Sequence, residues 1–233
     1  MSSTPRGVHY VSSFAELVGQ PLDGTTNARC WERRLPGDFA EVVAQLGKVS
    51  EESVATIEPA ALLALSLSLA GQGARACILA DLQRLHELQL APTLNHIREY
   101  PRDQRSGPIT TDVFSFHVDS APLPTDTWLC TYHGLASEGL PNHEAQRRVD
   151  IPATRAALLT VYGGADDADF LNFLSENAYD LHYAALAHAR PYSFGSGHLW
   201  RIAAQYPGCA ALPCIHRAPG TTPGDSPRLL LIS

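Results

Sequence analysis

The stretch Val113-Phe114-Ser115-Phe116-His117-Val118-Asp119 is rich in aromatic and β-branched residues, a composition typical of a buried strand. It ends in a histidine and an aspartate two positions apart. Residues i and i+2 of an extended strand point to the same side, so His117 and Asp119 face a common space while Val118 points away. The stretch therefore predicts a strand that carries a pair of polar side chains at its end.

Other segments after Pro92 also predict strands, since they alternate in polarity or are rich in β-branched, aromatic and leucine side chains. The candidate strands are residues 93–100, 113–118, 127–132, 192–202, 210–216 and 228–232. Residues 155–162 fit either a strand or a short helix. Residues 167–189 have helical spacing and predict a helical insertion between strands.

The first ninety or so residues predict helices instead. Asp38 is placed to cap a helix over residues 39–46. Pro59 suits the first turn of a helix that runs to Ala70 and that Gly71 ends. A further helix is predicted over residues 76–88, with Asp81 on its solvent side. Its apolar stripe comprises Ile78, Leu79, Leu82, Leu85 and Leu88.

Helices followed by about seven short strands predict an α+β fold. We expect one domain over residues 1–233, mainly helical to about residue 90. A double-stranded β-helix (jelly-roll) core over about 93–233, interrupted by the helical insertion, accommodates this order best.

Composition limits the classes of partner. The 233-residue chain has 45% hydrophobic and 18% charged residues, enough apolar material for a core. A formal charge of −7 argues against nucleic-acid or anionic-membrane binding, and no segment predicts a membrane span or a signal peptide. Five cysteines without a secretory signal favour reduced thiols in a cytoplasmic protein.

A third polar residue completes a possible metal site. His216 ends the candidate strand 210–216, and the fold could bring it beside His117 and Asp119. Two imidazoles and one carboxylate can occupy one face of Fe(II) and leave positions free for O₂ and organic ligands, although zinc also accepts this set. A surface histidine and a loop-capping aspartate would give the same His-x-Asp tripeptide.

Four motifs, in order, resemble a bacterial and fungal family known only as a domain of unknown function. They are Phe116-His117-Val118-Asp119, Thr131-Tyr132-His133-Gly134, Ser137-Glu138-Gly139 and His216-Arg217-Ala218-Pro219. The resemblance covers about residues 75–233. In the third motif Ser137 and Gly139 stand where the family usually has threonine and tryptophan, which suggests a different substrate.

That family is similar to Fe(II)- and 2-oxoglutarate-dependent oxygenases in its double-stranded β-helix and in the order of its ligands. The resemblance implies that His117, Asp119 and His216 bind Fe(II), with 2-oxoglutarate as cosubstrate. Arg228, which opens the strand after His216, is the expected partner of the cosubstrate carboxylate, because a guanidinium can form two parallel hydrogen bonds to it. Alternatively, Arg228 only starts an exposed edge strand.

The expected activity is an O₂-dependent hydroxylation, desaturation or oxidative cyclisation of a small molecule such as an amino acid. Arg98 is a candidate anchor for a substrate carboxylate, or else an outward residue paired with Glu99 or Asp103. Arg217 should point away from the metal and be structural. Two alternatives stay open: a non-haem iron oxidase or dioxygenase that does not use 2-oxoglutarate, and a non-catalytic jelly-roll module that binds a metal or ligand.

Overall fold

The computed structural model describes residues 4–104, 107–222 and 224–233. It has a mixed α+β architecture, which confirms the expected fold class. The helices are α1 Phe14–Gly19, α2 Phe39–Leu46, α3 Pro59–Leu63, α4 Leu69–Glu87, α5 Pro152–Tyr162 and α6 Ala168–Glu176. The strands are β1 Val8–Val11, β2 Ala28–Trp31, β3 Val54–Thr56, β4 Thr93–Ile97, β5 Asp126–His133, β6 Glu138–Leu140, β7 Ala145–Arg147, β8 Tyr183–Ala185, β9 Tyr192–Ser193, β10 Leu199–Ala203, β11 Ile215–Arg217 and β12 Arg228–Ile232. Within these ranges no helix has the length and apolar character that crossing a membrane requires.

A large sheet contains seven strands in the order β1-β2-β10-β5-β12-β4-β3. Its neighbouring strands are antiparallel, apart from the parallel pair β1 and β2. Helices α2 and α4 cover one face, and their apolar side chains pack against Leu229 and Leu231 of β12. Because side chains alternate along a strand, Arg228 and Leu230 face the opposite side.

A smaller layer of strands covers that opposite side. In it, β6 pairs with β9 and with β11. His117 extends the layer, since its backbone N–H and C=O both bond to the backbone of His216 on β11 at 2.9 Å. It also forms a bridge to His182. A buried core lies between the two layers and includes Leu129, Phe194, Trp200, Cys214 and Leu230.

The helix predicted after Asp38 is confirmed, and the one predicted after Pro59 is only partly right. The Asp38 side chain accepts a hydrogen bond from the Glu41 N–H at 2.9 Å and so caps α2. Helix α3 begins at Pro59 but ends at Leu63, and α4 begins at Leu69. Gly71 does not end a helix: it lies in the first turn of α4, where a Cβ atom would come within 2.3 Å of the Glu41 carboxylate.

Asp81 is a clear correction to the predicted helix. The expected stripe is largely right, since Ile78, Leu82 and Leu85 are buried against the sheet. Asp81, however, is fully buried and not on the solvent side. Its carboxylate accepts hydrogen bonds from Arg33, from Arg84 at 2.9 Å and from the Tyr132 hydroxyl at 2.8 Å. Helical periodicity marks a charged residue as exposed, but here two guanidinium groups compensate the buried charge.

The predicted strands are confirmed best in the centre of the large sheet. β5 and β12 match their predictions to within one residue at each end. The candidate strand 113–118 is mostly wrong, because Ser115 closes a turn on Asp112 and only the backbone around His117 pairs with other strands. Residues 192–202 divide into β9 and β10, and residues 210–216 contribute only the start of β11.

The helical insertion and the N-terminal region are also more complex than expected. Residues 155–162 are helical, and the predicted insertion contains α6 followed by β8. A small core of its own lies between α5 and α6, with Leu158, Phe170 and Leu174 buried. Strands β1, β2 and β3 lie in the part of the chain expected to be mainly helical.

Candidate metal centre

The three predicted ligands converge at the inner face of the smaller layer. One potential ligand atom from each of His117, Asp119 and His216 lies within 4.8 Å of the other two. His216 Nε2 is 3.7 Å from Asp119 Oδ2, and the two imidazole rings have centroids 4.6 Å apart. The structure therefore brings together side chains that are almost a hundred positions apart in the sequence.

Backbone pairing explains why the histidines meet. His117 and His216 are directly opposite each other in an antiparallel pair, and such residues point to the same side with neighbouring Cβ atoms. Each ring is then oriented by its own strand. His117 Nδ1 lies 2.8 Å from the Ser115 carbonyl, and His216 Nδ1 lies 3.2 Å from the Cys214 carbonyl.

This bonding assigns a role to each ring nitrogen. A carbonyl oxygen can only accept, so each Nδ1 carries a ring hydrogen and Nε2 is the nitrogen left to bind a cation. Burial, followed by the neighbouring His216, lowers the pKa of His117 to about 4. His117 is therefore neutral at physiological pH, the protonation state that a metal requires.

Asp119 is held by a residue of the large sheet. The Thr127 hydroxyl on β5 donates a hydrogen bond to Asp119 Oδ2 at 2.5 Å. Hydrogen bonds of this kind orient carboxylate ligands in metal sites. The sequence did not single out Thr127, although its position at the start of the candidate strand 127–132 could have drawn attention to it.

Arg228, at the start of β12, lies on the face of the large sheet that the smaller layer covers, and it is almost completely buried. Its Nη2 donates to the hydroxyls of Thr131 and Ser137, at 2.8 and 2.7 Å, and its Nη1 to the Tyr100 hydroxyl at 3.1 Å. Among the described residues no carboxylate pairs with this guanidinium, and its Nε is buried without a partner. Burial lowers the pKa of Arg228, yet an arginine stays charged under such conditions.

The three ligand candidates and Arg228 are contacted by residues toward opposite ends of β5. Thr127, which contacts Asp119, and Thr131, which contacts Arg228, are four residues apart on the same face of β5. An extended strand rises about 3.3 Å per residue, so these two positions are separated by about 13 Å.

A cavity of about 230 Å³ reaches Arg228 from outside. Tyr100, Phe114 and Arg98 are among its lining residues. The Arg98 side chain is exposed and donates from Nη2 to the carbonyls of Gly47 and Ser50, just beyond the end of α2. This contact stabilises the C-terminal end of that helix, and the role of Arg98 as a substrate anchor stays a prediction.

The two departures in the third motif have local structural explanations. Ser137 supplies one of the three hydroxyls on Arg228. Gly139 pairs directly with His216 on one side and with Tyr192 on the other. A Cβ atom at Gly139 would lie 2.2 Å from the Tyr192 ring, so the aromatic ring occupies the space that a larger residue would need.

Arg217 lies on the outer side of the smaller layer, as expected. Its guanidinium forms a salt bridge to Glu138 at 2.6 Å and lies 4.2 Å from the centre of the Phe116 ring. These contacts join the first, third and fourth motifs on the face that points away from His216. The observed contacts of Arg217 are therefore structural.

His182 is a further neighbour of the centre, although the sequence favours it as a polar residue with its own hydrogen-bond partners over a ligand or a substrate contact. Its ring centroid is 5.8 Å from that of His117, and the side chain is only 4% exposed. No pattern around His182 resembles a ligand motif, and the residue falls in the segment expected to be helical. Pairing of its strand with His117 is a tertiary feature that periodicity does not reveal.

Comparisons with protein-family models, with curated proteins and with solved structures gave no match. The geometry of the site therefore provides the basis for proposing a function.

Proposed function

We propose that this protein is an Fe(II)- and 2-oxoglutarate-dependent oxygenase acting on a small molecule, built on a double-stranded β-helix. The observation that carries the proposal is the convergence of His117, Asp119 and His216. It is joined by a buried Arg228 that pairs with no carboxylate among the described residues. The two-layer arrangement supports a double-stranded β-helix, because the large sheet and the smaller layer enclose the three ligand candidates and Arg228.

The donor set fits Fe(II). Two imidazoles, each held through its Nδ1, and one carboxylate provide the N,N,O set of a facial triad, which leaves three coordination positions open. A closed structural zinc site would use four protein ligands, often with cysteine. Cys214 contacts His216 through its backbone carbonyl and not through its thiol, and all five cysteines are free.

The surroundings of Arg228 fit the distal carboxylate of 2-oxoglutarate. A buried cation without a counter-ion is costly, and an anion that reaches it removes this cost. The three hydroxyl groups fix the guanidinium plane, so the side chain is already oriented before the anion arrives. When bound, Fe(II) activates O₂, and 2-oxoglutarate is oxidised to succinate and CO₂ while one oxygen atom becomes available to oxidise the substrate.

Metal binding is the first test. Anaerobic calorimetric titration with Fe(II) should give one site per chain in the wild type. The variants His216→Ala and Asp119→Ala should lose at least tenfold in affinity. The exposed His143 serves as the control, and His143→Ala should bind Fe(II) normally. Unchanged affinity in the His216 and Asp119 variants would rule out this centre.

Cosubstrate binding is the second test. Mn(II)-loaded wild type should bind 2-oxoglutarate, whereas Arg228→Met should bind Mn(II) normally and 2-oxoglutarate at least tenfold more weakly. Equal 2-oxoglutarate affinity in the two proteins would favour an oxidase or dioxygenase that does not need this cosubstrate.

A further inference from the structure

Three histidines lie side by side across the smaller layer. His117 forms antiparallel bridges to His216 on one side and to His182 on the other. Residues opposite each other in antiparallel pairs share a face, so all three imidazoles project toward the same inner space. His182 thus lies one strand beyond the candidate metal ligands.

The His182 ring has polar capacity that the chain does not use. Its Nδ1 is buried and has no hydrogen-bond partner among the described residues. An unpaired buried polar atom costs free energy comparable to a lost hydrogen bond. The ring also lines a cavity of about 170 Å³ that reaches His117 and Asp112.

His182 does not belong to the ligand set itself. The group of atoms that lie within 4.8 Å of one another comprises one atom each from His117, Asp119 and His216 and none from His182. His182 is thus a neighbour of the ligand His117, with ring centroids 5.8 Å apart, and not a member of the ligand group.

We propose that His182 is a ligand-contacting residue, which forms a hydrogen bond to a small polar molecule seated beside His117 in this cavity. The molecules it selects carry a hydroxyl, carboxylate or amide group that can form a hydrogen bond with an imidazole nitrogen. This inference rests on the proposed metal centre and adds the class of molecule that the centre accepts.

Azide binding to Co(II)-loaded protein tests the role of His182. Azide is a small anion that enters open coordination positions and accepts hydrogen bonds, and visible absorption of Co(II) reports its binding. His182→Met should bind Co(II) as the wild type does and raise the azide Kd about tenfold, the loss of one hydrogen bond of roughly 1.4 kcal/mol. His182→Gln, which keeps a polar side chain of similar length, should recover most of the azide affinity.

Two results would overturn the inference. An azide Kd that is equal in the wild type and in His182→Met shows that the ring contacts no bound molecule. Weaker Co(II) binding in His182→Met, with azide unaffected, makes His182 a metal ligand instead. If the methionine variant does not fold, the ring ¹⁵N resonances of His182 in diamagnetic Zn(II)-loaded wild type decide: they shift on azide addition if the contact exists and stay in place if it does not. Wild type that fails to bind Co(II) would remove the metal centre, a separate result.

Discussion

Replacing Thr127 with valine keeps the shape of the side chain and removes the hydroxyl that holds Asp119. That hydroxyl donates to Asp119 Oδ2 at 2.5 Å. A hydrogen bond to a charged group contributes roughly 1.5–3 kcal/mol, and about 1.4 kcal/mol corresponds to a tenfold change in affinity. We therefore expect Thr127→Val to weaken Fe(II) binding by about 10- to 100-fold, measured by anaerobic calorimetric titration.

Thr131 provides a matched control on the same face of β5. Its hydroxyl accepts from Arg228 Nη2 at 2.8 Å and forms no hydrogen bond to the three metal-ligand candidates. Thr131→Val should therefore leave Fe(II) affinity within about twofold and raise the Kd of 2-oxoglutarate about tenfold, since one of three hydroxyls that orient the guanidinium is lost.

An equal Fe(II) affinity in the two valine variants would contradict a specific role for the Thr127 hydroxyl. Equal losses of Fe(II) affinity would mean that both changes act through the stability of β5. No loss in Thr127→Val would mean that Asp119 needs no support from the large sheet. Far-ultraviolet circular dichroism of both variants checks that the fold is retained.

Three further predictions concern the scaffold. Asp81→Ala leaves two guanidinium groups without their shared carboxylate and should lower the free energy of unfolding by about 3–5 kcal/mol in urea denaturation. As a control, Asp166→Ala removes an ion pair near the surface and should change the free energy of unfolding little. Gly139→Ala forces a methyl group into the aromatic ring packed over it and should cost roughly 1–3 kcal/mol by the same assay; a neutral effect would contradict the close contact. Burial raises the pKa of Cys130 to about 12, so at pH 8 about one thiol in ten thousand is ionised. Mass spectrometry after native alkylation should find Cys130 unmodified and the more exposed Cys77 modified.

Some of this structure can be read from the sequence because the signals are local. The cap at Asp38 and the leucine-rich strand β12 follow from side-chain types at fixed offsets, and both are found where the sequence predicts them. The His-x-Asp spacing likewise places His117 and Asp119 on one side of an extended segment. Their convergence with His216 depends on the tertiary fold, and it was expected because of the family resemblance.

Other features depend on contacts between distant segments. Asp81 is buried only because Arg33, far away in the sequence, reaches its carboxylate. Strands as short as β3 exist because β4 pairs with them, since three residues carry too little pattern to be recognised. The place of His182 beside His117 also depends on pairing across the smaller layer, so helical spacing in that segment was misleading.

The backbone bonds between His117 and His216 have a practical consequence for handling the protein. Since strand pairing and not the cation holds the two rings together, chelator-treated material should keep its secondary structure and accept metal again without refolding. The ion would then add stability only through mass action, as RT times the logarithm of one plus its concentration over its Kd. Loading with different divalent ions after purification is therefore a direct way to compare their chemistry on one unchanged scaffold.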